Sequence, residues 1–165
     1  MTALERLIPA NASYLAGFHG RFPDRPVRPR LQLAVVSCMD SRLALFGALG
    51  LEIGDAHLIR TAGAIVTPEV LRSLAISQRK LATREIAIIG HTDCGMLNFD
   101  DEAFRSELET ESGQRPDWDV PGFAQVEDSV AESVERVRSC GWLPSRDSVA
   151  GFVFDVRTGE VRAVD

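Results

Sequence analysis

Apolar, β-branched runs alternate with helical patterns along this chain, and that alternation leaves few folds open. Gln-Leu-Ala-Val-Val-Ser at 32–37 and Glu-Ile-Ala-Ile-Ile-Gly at 85–90 read as buried strands, the second being the clearest in the chain. Residues 57–60 make a short strand between them, and 149–156 make another. Helical patterns cover 43–49 (closed by Gly50), 100–111, and 126–138, where Val126, Val130, Val134 and Val137 recur. Thr67-Pro68-Glu69 opens a further helix with specific chemistry. Threonine caps it, proline fills the first helical position, and an acid sits at the positive end of the dipole. Val70, Leu71, Leu74 and Leu81 then carry its apolar face inward. Strands joined by helices predict an α/β fold, with a mostly parallel central sheet flanked by helices. Arg-Thr-Gly-Glu at 157–160 reads as a turn into 161–164, which predicts a C-terminal edge strand or hairpin. A polar loop with two prolines is expected at 112–122. No repeat or linker interrupts the pattern, so a single domain is expected over 1–165. Its parts are an N-terminal helical arm at 1–30, of a kind that often serves oligomerisation, and an α/β core at 31–165.

Composition narrows the function classes. The 165 residues suffice to bury a substantial core. The net charge of −6, with arginines scattered rather than gathered into a stripe, argues against a nucleic-acid partner. No apolar run approaches the ~20 residues of a membrane span. Residues 1–9 carry Glu5 and Arg6 inside a short apolar pattern, unlike a secretory signal. No membrane partner is expected, and the location expected is cytoplasmic. Three cysteines cannot make a full disulfide framework. In a reducing compartment, grouped Cys and His residues point to metal binding or catalysis.

Two segments carry that chemistry. Cys38-Met39-Asp40-Ser41-Arg42 follows the first strand, and His91-Thr92-Asp93-Cys94-Gly95 follows the strand at 85–90. Sites in open α/β sheets form beyond the carboxyl ends of strands, where strand order reverses. If these two strands are neighbours at that reversal, Cys38, His91 and Cys94 converge. Two thiolates and an imidazole suit zinc, and three protein ligands leave one position open, as catalytic zinc sites do. Cys140 ends a predicted helix and His57 begins a separate strand, so neither supplies a convenient fourth ligand. Zinc lowers the pKa of coordinated water, and the resulting hydroxide attacks electrophilic carbon. Because thiolates neutralise zinc more than imidazoles do, activity favouring alkaline pH is expected. Asp40 can ligate the metal or accept a proton, and Arg42 could hold that carboxylate off the metal in a bidentate pair. Asp93 reads as a cap of the following turn and Cys140 as a structural thiol. His19 and His57 read as ordinary strand or surface residues, and Gly63, Gly90 and Gly95 as glycines permitting tight turns.

Together these segments resemble the β-class carbonic anhydrases, whose zinc motifs are a Cys-x-Asp-x-Arg loop and a later His-x-x-Cys loop. Asp-Ala-His-Leu-Ile-Arg-Thr-Ala-Gly at 55–63 is similar to that family's connecting segment, and 83–97 is also very similar. Gly-Phe-Val-Phe-Asp-Val at 151–156, with Thr158-Gly159, resembles its C-terminal strand and turn. The resemblance spans about residues 30–165, and its brevity looks like the small archaeal and bacterial branch. It implies one zinc ion per chain on Cys38, His91 and Cys94, and a catalytic dyad of Asp40 and Arg42. It implies a zinc lyase that converts carbon dioxide reversibly to bicarbonate and a proton. It also implies a homodimer, or a tetramer built from dimers, with the active-site channel at the subunit interface. Backbone amides around Gly63 and Gly95 are candidates for orienting substrate. Thr61 stands where the family commonly has asparagine, which puts local pocket hydrogen bonding in question, and no plant-type glutamine is evident. Two other functions fit the motifs: a carbonyl sulfide or carbon disulfide hydrolase on the same scaffold, and a non-catalytic zinc or redox-sensing module closed by Asp40. A cysteine phosphatase would place its arginine further from the cysteine. A cysteine–histidine acyl transferase would leave Cys94 and Arg42 without roles.

Overall fold

The computed structural model describes residues 2–18, 26–119 and 121–164. Its strands are β1 (Leu33–Cys38), β2 (Ala56–Thr61), β3 (Glu85–His91), β4 (Val149–Phe154) and β5 (Val161–Val164). They form one sheet in the order β2-β1-β3-β4-β5. The first four are parallel and β5 is antiparallel to β4, so the fold is the α/β arrangement with the C-terminal hairpin that the sequence predicts. The helices are α1 (Leu7–Phe18), α2 (Leu45–Ala48), α3 (Pro68–Leu81), α4 (Asp101–Ser112) and α5 (Val126–Arg138). His19, and Val120 within the expected loop at 112–122, lie outside the described residues.

Both faces of the central strands are buried, which explains their unbroken apolar runs. On one face Ala34, Val36, Ile86 and Ile88 meet Val70 and Leu74 of α3 and Val130, Val134 and Val137 of α5. On the other, Val35 and Ile89 pack with Leu43, Leu45, Ala64 and Phe154. The caps follow local chemistry. Thr67 accepts from the Val70 N–H at the start of α3, and Asp100 accepts from the Ala103 N–H at the start of α4. No residue of α1 is buried, and its Leu7, Ile8, Tyr14 and Leu15 are all exposed.

Three local expectations change. The helix expected over 43–49 is a single turn, because the Leu43 N–H donates to the Asp40 carbonyl and closes the preceding loop. The strand expected to reach 156 stops at Phe154. There Asp155 accepts from the Arg157 and Thr158 N–H groups, and Gly159 takes a left-handed φ of 79° to complete the turn. Gly90, expected to permit a tight turn, lies inside β3, where its small size admits α5 instead. A Cβ at Gly90 would sit 2.7 Å from Val126 Cγ2 and 2.7 Å from Val130 Cγ2. One at Gly151 would sit 2.5 Å from Val130 Cγ1.

These are stiff β-branched side chains on a buried helix face, so they cannot simply turn aside. Gly151→Ala should therefore lower stability by ~1–3 kcal/mol, the range for overpacked cores. Gly17→Ala, in α1 with nothing within 4 Å of the new methyl, should leave stability unchanged or raise it slightly. Thermal unfolding followed by circular dichroism checks both, and a Gly151→Ala protein melting with wild type would refute the close-packing account.

Candidate metal centre

From β1 the chain adds β2 on one side and returns to place β3 on the other. The crevice at the carboxyl ends of β1 and β3 is thus the point where strand order reverses. Cys38 is the last residue of β1 and His91 the last of β3. Cys94 follows on the loop beyond β3, with its sulfur 3.9 Å from that of Cys38. The ligating atoms of Cys38, His91 and Cys94 all lie within 4.8 Å of one another, and all three residues are buried. The structure thus brings together the three residues that the sequence singled out.

The donor set suits a metal ion. His91 Nδ1 lies 2.9 Å from the Thr92 carbonyl oxygen. A carbonyl can only accept, so Nδ1 carries the proton and Nε2 presents its lone pair. That Nε2 is buried and, among the described residues, has no hydrogen-bond partner. An unpaired buried polar atom costs about 1–3 kcal/mol, and a metal ion would satisfy it. Two sulfurs and an imidazole are a zinc donor set rather than one for a hard cation such as magnesium or calcium. The thiols titrate as a pair. The hydrogen bond from Cys94 pushes the Cys38 thiol down against the effect of burial, helped by His91 and by the backbone N–H groups of Asp40 and Gly63. The same contact pushes Cys94 up, because losing its proton would leave two thiolates side by side. Burial disfavours a charged His91, but the Cys38 sulfur and the Thr92 carbonyl outweigh it and raise the imidazole pKa.

Asp40 and Arg42 meet as a fork. Arg42 Nε donates to Asp40 Oδ1 at 3.0 Å, Nη2 donates to Oδ2 at 2.7 Å, and the Arg42 N–H adds a third bond to Oδ1 at 2.9 Å. The guanidinium, followed by that backbone N–H, holds the Asp40 carboxyl well below the usual carboxylate range. Asp40 Oδ2 lies 3.9 Å from His91 Nε2, too far for a direct hydrogen bond.

Two residues that the sequence reading did not recruit also belong here. The Asp93 carboxylate accepts from Arg42 Nη1 at 2.7 Å, so its hydrogen bond runs across the crevice rather than capping the next turn. From β2, Arg60 Nε donates to the Cys38 carbonyl at 2.8 Å, and Nη2 donates to the Asp40 carbonyl. An acid lying between two candidate ligands, with an arginine in the other motif that keeps donors to spare after pairing with Asp40, was the available signal for Asp93. Nothing local marks Arg60. Gly63 takes a φ of 69°, and a Cβ there would meet Met96 and Phe123 at 3.1 Å. Gly95 has nothing within 4 Å of its Cβ position, which leaves open space beside Cys94. The Thr61 hydroxyl donates to the Ile65 carbonyl. Elsewhere, His57 Nδ1 pairs with the Ser77 hydroxyl and Cys140 packs in the α3–α5 core. Neither joins the metal group.

Known proteins carry the same arrangement of sequence and fold. A family profile described as carbonic anhydrase matches residues 33–118. Beta-carbonic anhydrase 1 of Mycobacterium tuberculosis is 42% identical over 164 residues, 99% of each chain. The chain belongs to the β-carbonic anhydrase family. The solved carbonic anhydrase of Streptococcus mutans matches with a TM-score of 0.91 at 38% identity, covering 100% of this chain and 99% of that one. A carbon disulfide hydrolase of Acidithiobacillus thiooxidans is more distant, at 30% identity over 152 residues, 79% of this chain and 76% of that protein. β-Carbonic anhydrases use zinc, and the group at Cys38, His91 and Cys94 is one that could hold it.

The fork predicts an acid titration. A carboxyl whose folded pKa is depressed contributes stability that is fully present above its unfolded value, near 3.9, and is lost as pH falls toward the folded value. In metal-free protein, carbon-13 NMR should therefore find Asp40 ionised below the ordinary carboxylate range. Arg42→Ala should return it toward ~4. An Asp40 carboxyl titrating normally in the wild type would contradict the fork.

Proposed function

We propose that this protein is a carbonic anhydrase that hydrates carbon dioxide reversibly to bicarbonate and a proton, with zinc held by Cys38, His91 and Cys94. The observation that carries this reading is the pair of sulfurs and the partnerless His91 Nε2 within 4.8 Å, at the strand-order reversal of a β-carbonic anhydrase fold. When bound, zinc supplies Lewis-acid activation of water at near-neutral pH. The protein's part is to orient that water and to exclude other chemistry. An ionised Asp40 has only acceptor lone pairs, so it orders a water in the crevice by taking a hydrogen bond from it. Arg42 occupies both Asp40 oxygens and keeps the carboxylate an acceptor rather than a donor. The same fork competes with a closed, non-catalytic site, because an Asp40 drawn onto the metal as a fourth ligand would strain its bonds to Arg42. Met96, Phe123 and Ala64 supply an apolar wall suited to a small nonpolar gas. Open space at Gly95 leaves room for substrate, and the Gly63 N–H is one of the groups that favour an ionised Cys38.

The exposed apolar residues of α1, with Leu4 ahead of it, suit an arm that packs against another subunit. They support a homodimer or a tetramer of dimers. Met39 and Leu97, both exposed beside the ligands, fit a channel completed at the subunit interface. No described helix is long and apolar enough to cross a membrane. The free thiols of Cys38, Cys94 and Cys140 suit a reducing, cytoplasmic setting. A second reading, hydrolysis of carbonyl sulfide or carbon disulfide, rests on the carbon disulfide hydrolase relative.

Stopped-flow carbon dioxide hydration from pH ~6.5 to ~9 tests the proposal. Zinc-loaded protein should be active with a rate rising toward alkaline pH, and chelation should abolish that rate. Hydrogen sulfide release from carbon disulfide, without carbon dioxide hydration, would move the assignment to the second reading. Among variants, Cys94→Ser should lose zinc by mass spectrometry. Arg42→Ala should keep zinc while kcat/KM falls about 10- to 100-fold. Full zinc content in Cys94→Ser would remove that residue from the ligand set.

A further inference from the structure

We propose that Asp93 is a positioning residue that clamps the Arg42 guanidinium, and through it the Asp40 carboxylate, against the segment carrying His91 and Cys94. The inference rests on the carbonic anhydrase reading above and adds to it a residue that neither zinc motif specifies. Asp40 and Arg42 stand two residues apart on one loop, so their fork would move with that loop as a unit. What ties the unit to the opposite loop is Asp93. Its carboxylate accepts from Arg42 Nη1 at 2.7 Å, and its backbone carbonyl accepts from Nη2 at 2.8 Å. The guanidinium is thereby held on two adjacent edges. Nε and Nη2 face Asp40, while Nη1 and Nη2 face Asp93.

The backbone at Asp93 is arranged for this contact. Its φ is 56°, a left-handed conformation that asparagine and aspartate tolerate better than most residues. That conformation goes with a carboxylate and a carbonyl both bonded to Arg42. The opposite flank of the 38–42 loop is pinned by Arg60 from β2, so Asp93 supplies the matching tether from the β3 side. Exposure of 63% for the Asp93 side chain and 48% for Arg42, against 16% for Asp40, makes this an ion pair worth little as stability. Its effect belongs in geometry, where a small displacement of an orienting carboxylate slows a reaction without unfolding anything.

Asp93→Asn is the discriminating variant, since asparagine keeps the left-handed backbone and loses only the charge on the outer contact. Three measurements on zinc-loaded protein test the role. Carbon dioxide hydration should fall about three- to tenfold in kcat/KM, the scale of one ordinary hydrogen bond, because asparagine can still accept a neutral one. Zinc content should stay at the wild-type value. In the Arg42→Ala background the same substitution should cause no further loss, because the group it acts through is gone. The Arg42 Nε–H resonance in nitrogen-15 spectra gives a readout independent of turnover. It should be protected from solvent exchange in wild type and exchange faster in Asp93→Asn. An unchanged rate, a loss that adds to that of Arg42→Ala, a loss accompanied by zinc release, or unaltered exchange of the Arg42 Nε–H would each overturn the role. Absence of hydration in the wild-type protein would instead overturn the functional reading, and the Arg42 resonance would still report whether Asp93 holds the guanidinium.

Discussion

Parallel pairing of β1 with β3 is the constraint on which everything at the site depends. It runs from Leu33 opposite Glu85 to Ser37 opposite Ile89. That register delivers Cys38 and His91 to the same end of the sheet, though the two lie far apart in sequence. Neither loop could set the distance between sulfur and imidazole by itself, because each is short and partly exposed. The sheet sets it, and the sheet is rigid because both of its faces are packed. Glycines at 90 and 151 reinforce this by letting α5 lie close against β3 and β4, directly beneath the residue that bears the imidazole.

The two cores divide the labour. The cluster between the sheet and α3–α5 contains no candidate ligand apart from the distant thiol Cys140, whereas Cys38 and Cys94 are themselves members of the cluster on the other face. One layer therefore holds the fold together without reference to a metal ion, and the other holds the metal-binding atoms in an apolar setting. That setting explains the electrostatics of the site. In a dry pocket a lone pair without a partner and two adjacent sulfurs are costly, and a divalent cation relieves both at once.

Legibility in the sequence followed the range of the interaction. The strand at 85–90, the Thr67 cap and the turn at Arg157-Thr158-Gly159 were readable because their causes are local: an apolar run, a hydroxyl three residues from an N–H, a glycine where φ is positive. The zinc motifs were readable as residue types, and their meeting could be stated only as a condition on strand order. Gly90 was misread because a turn and a close helix approach demand the same residue, and only the register of α5 on the sheet separates them. Arg60 and Asp93 went unrecruited for a different reason. Their partners lie across the crevice on other strands, and no periodicity connects residue 93 to residue 42 or residue 60 to residue 40.

Exposure across the site rises from the buried ligands to Asp40, then to Arg42 and Asp93. This gradient follows from what each group must do. Soft ligands need to be dry, since water would compete for the metal and let the thiols be modified. On the proposed reading, a carboxylate that orders water must reach solvent on one side, and Asp40 is partly exposed. An arginine that holds such a carboxylate then sits at the surface by necessity, where one ion pair is weak and side-chain entropy opposes a fixed geometry. A second acid and a backbone carbonyl on the facing loop answer that weakness. They place the guanidinium in a frame whose corners belong to the loops after two different strands, so in the proposed role its orientation follows the β1–β3 pairing rather than the flexibility of its own side chain.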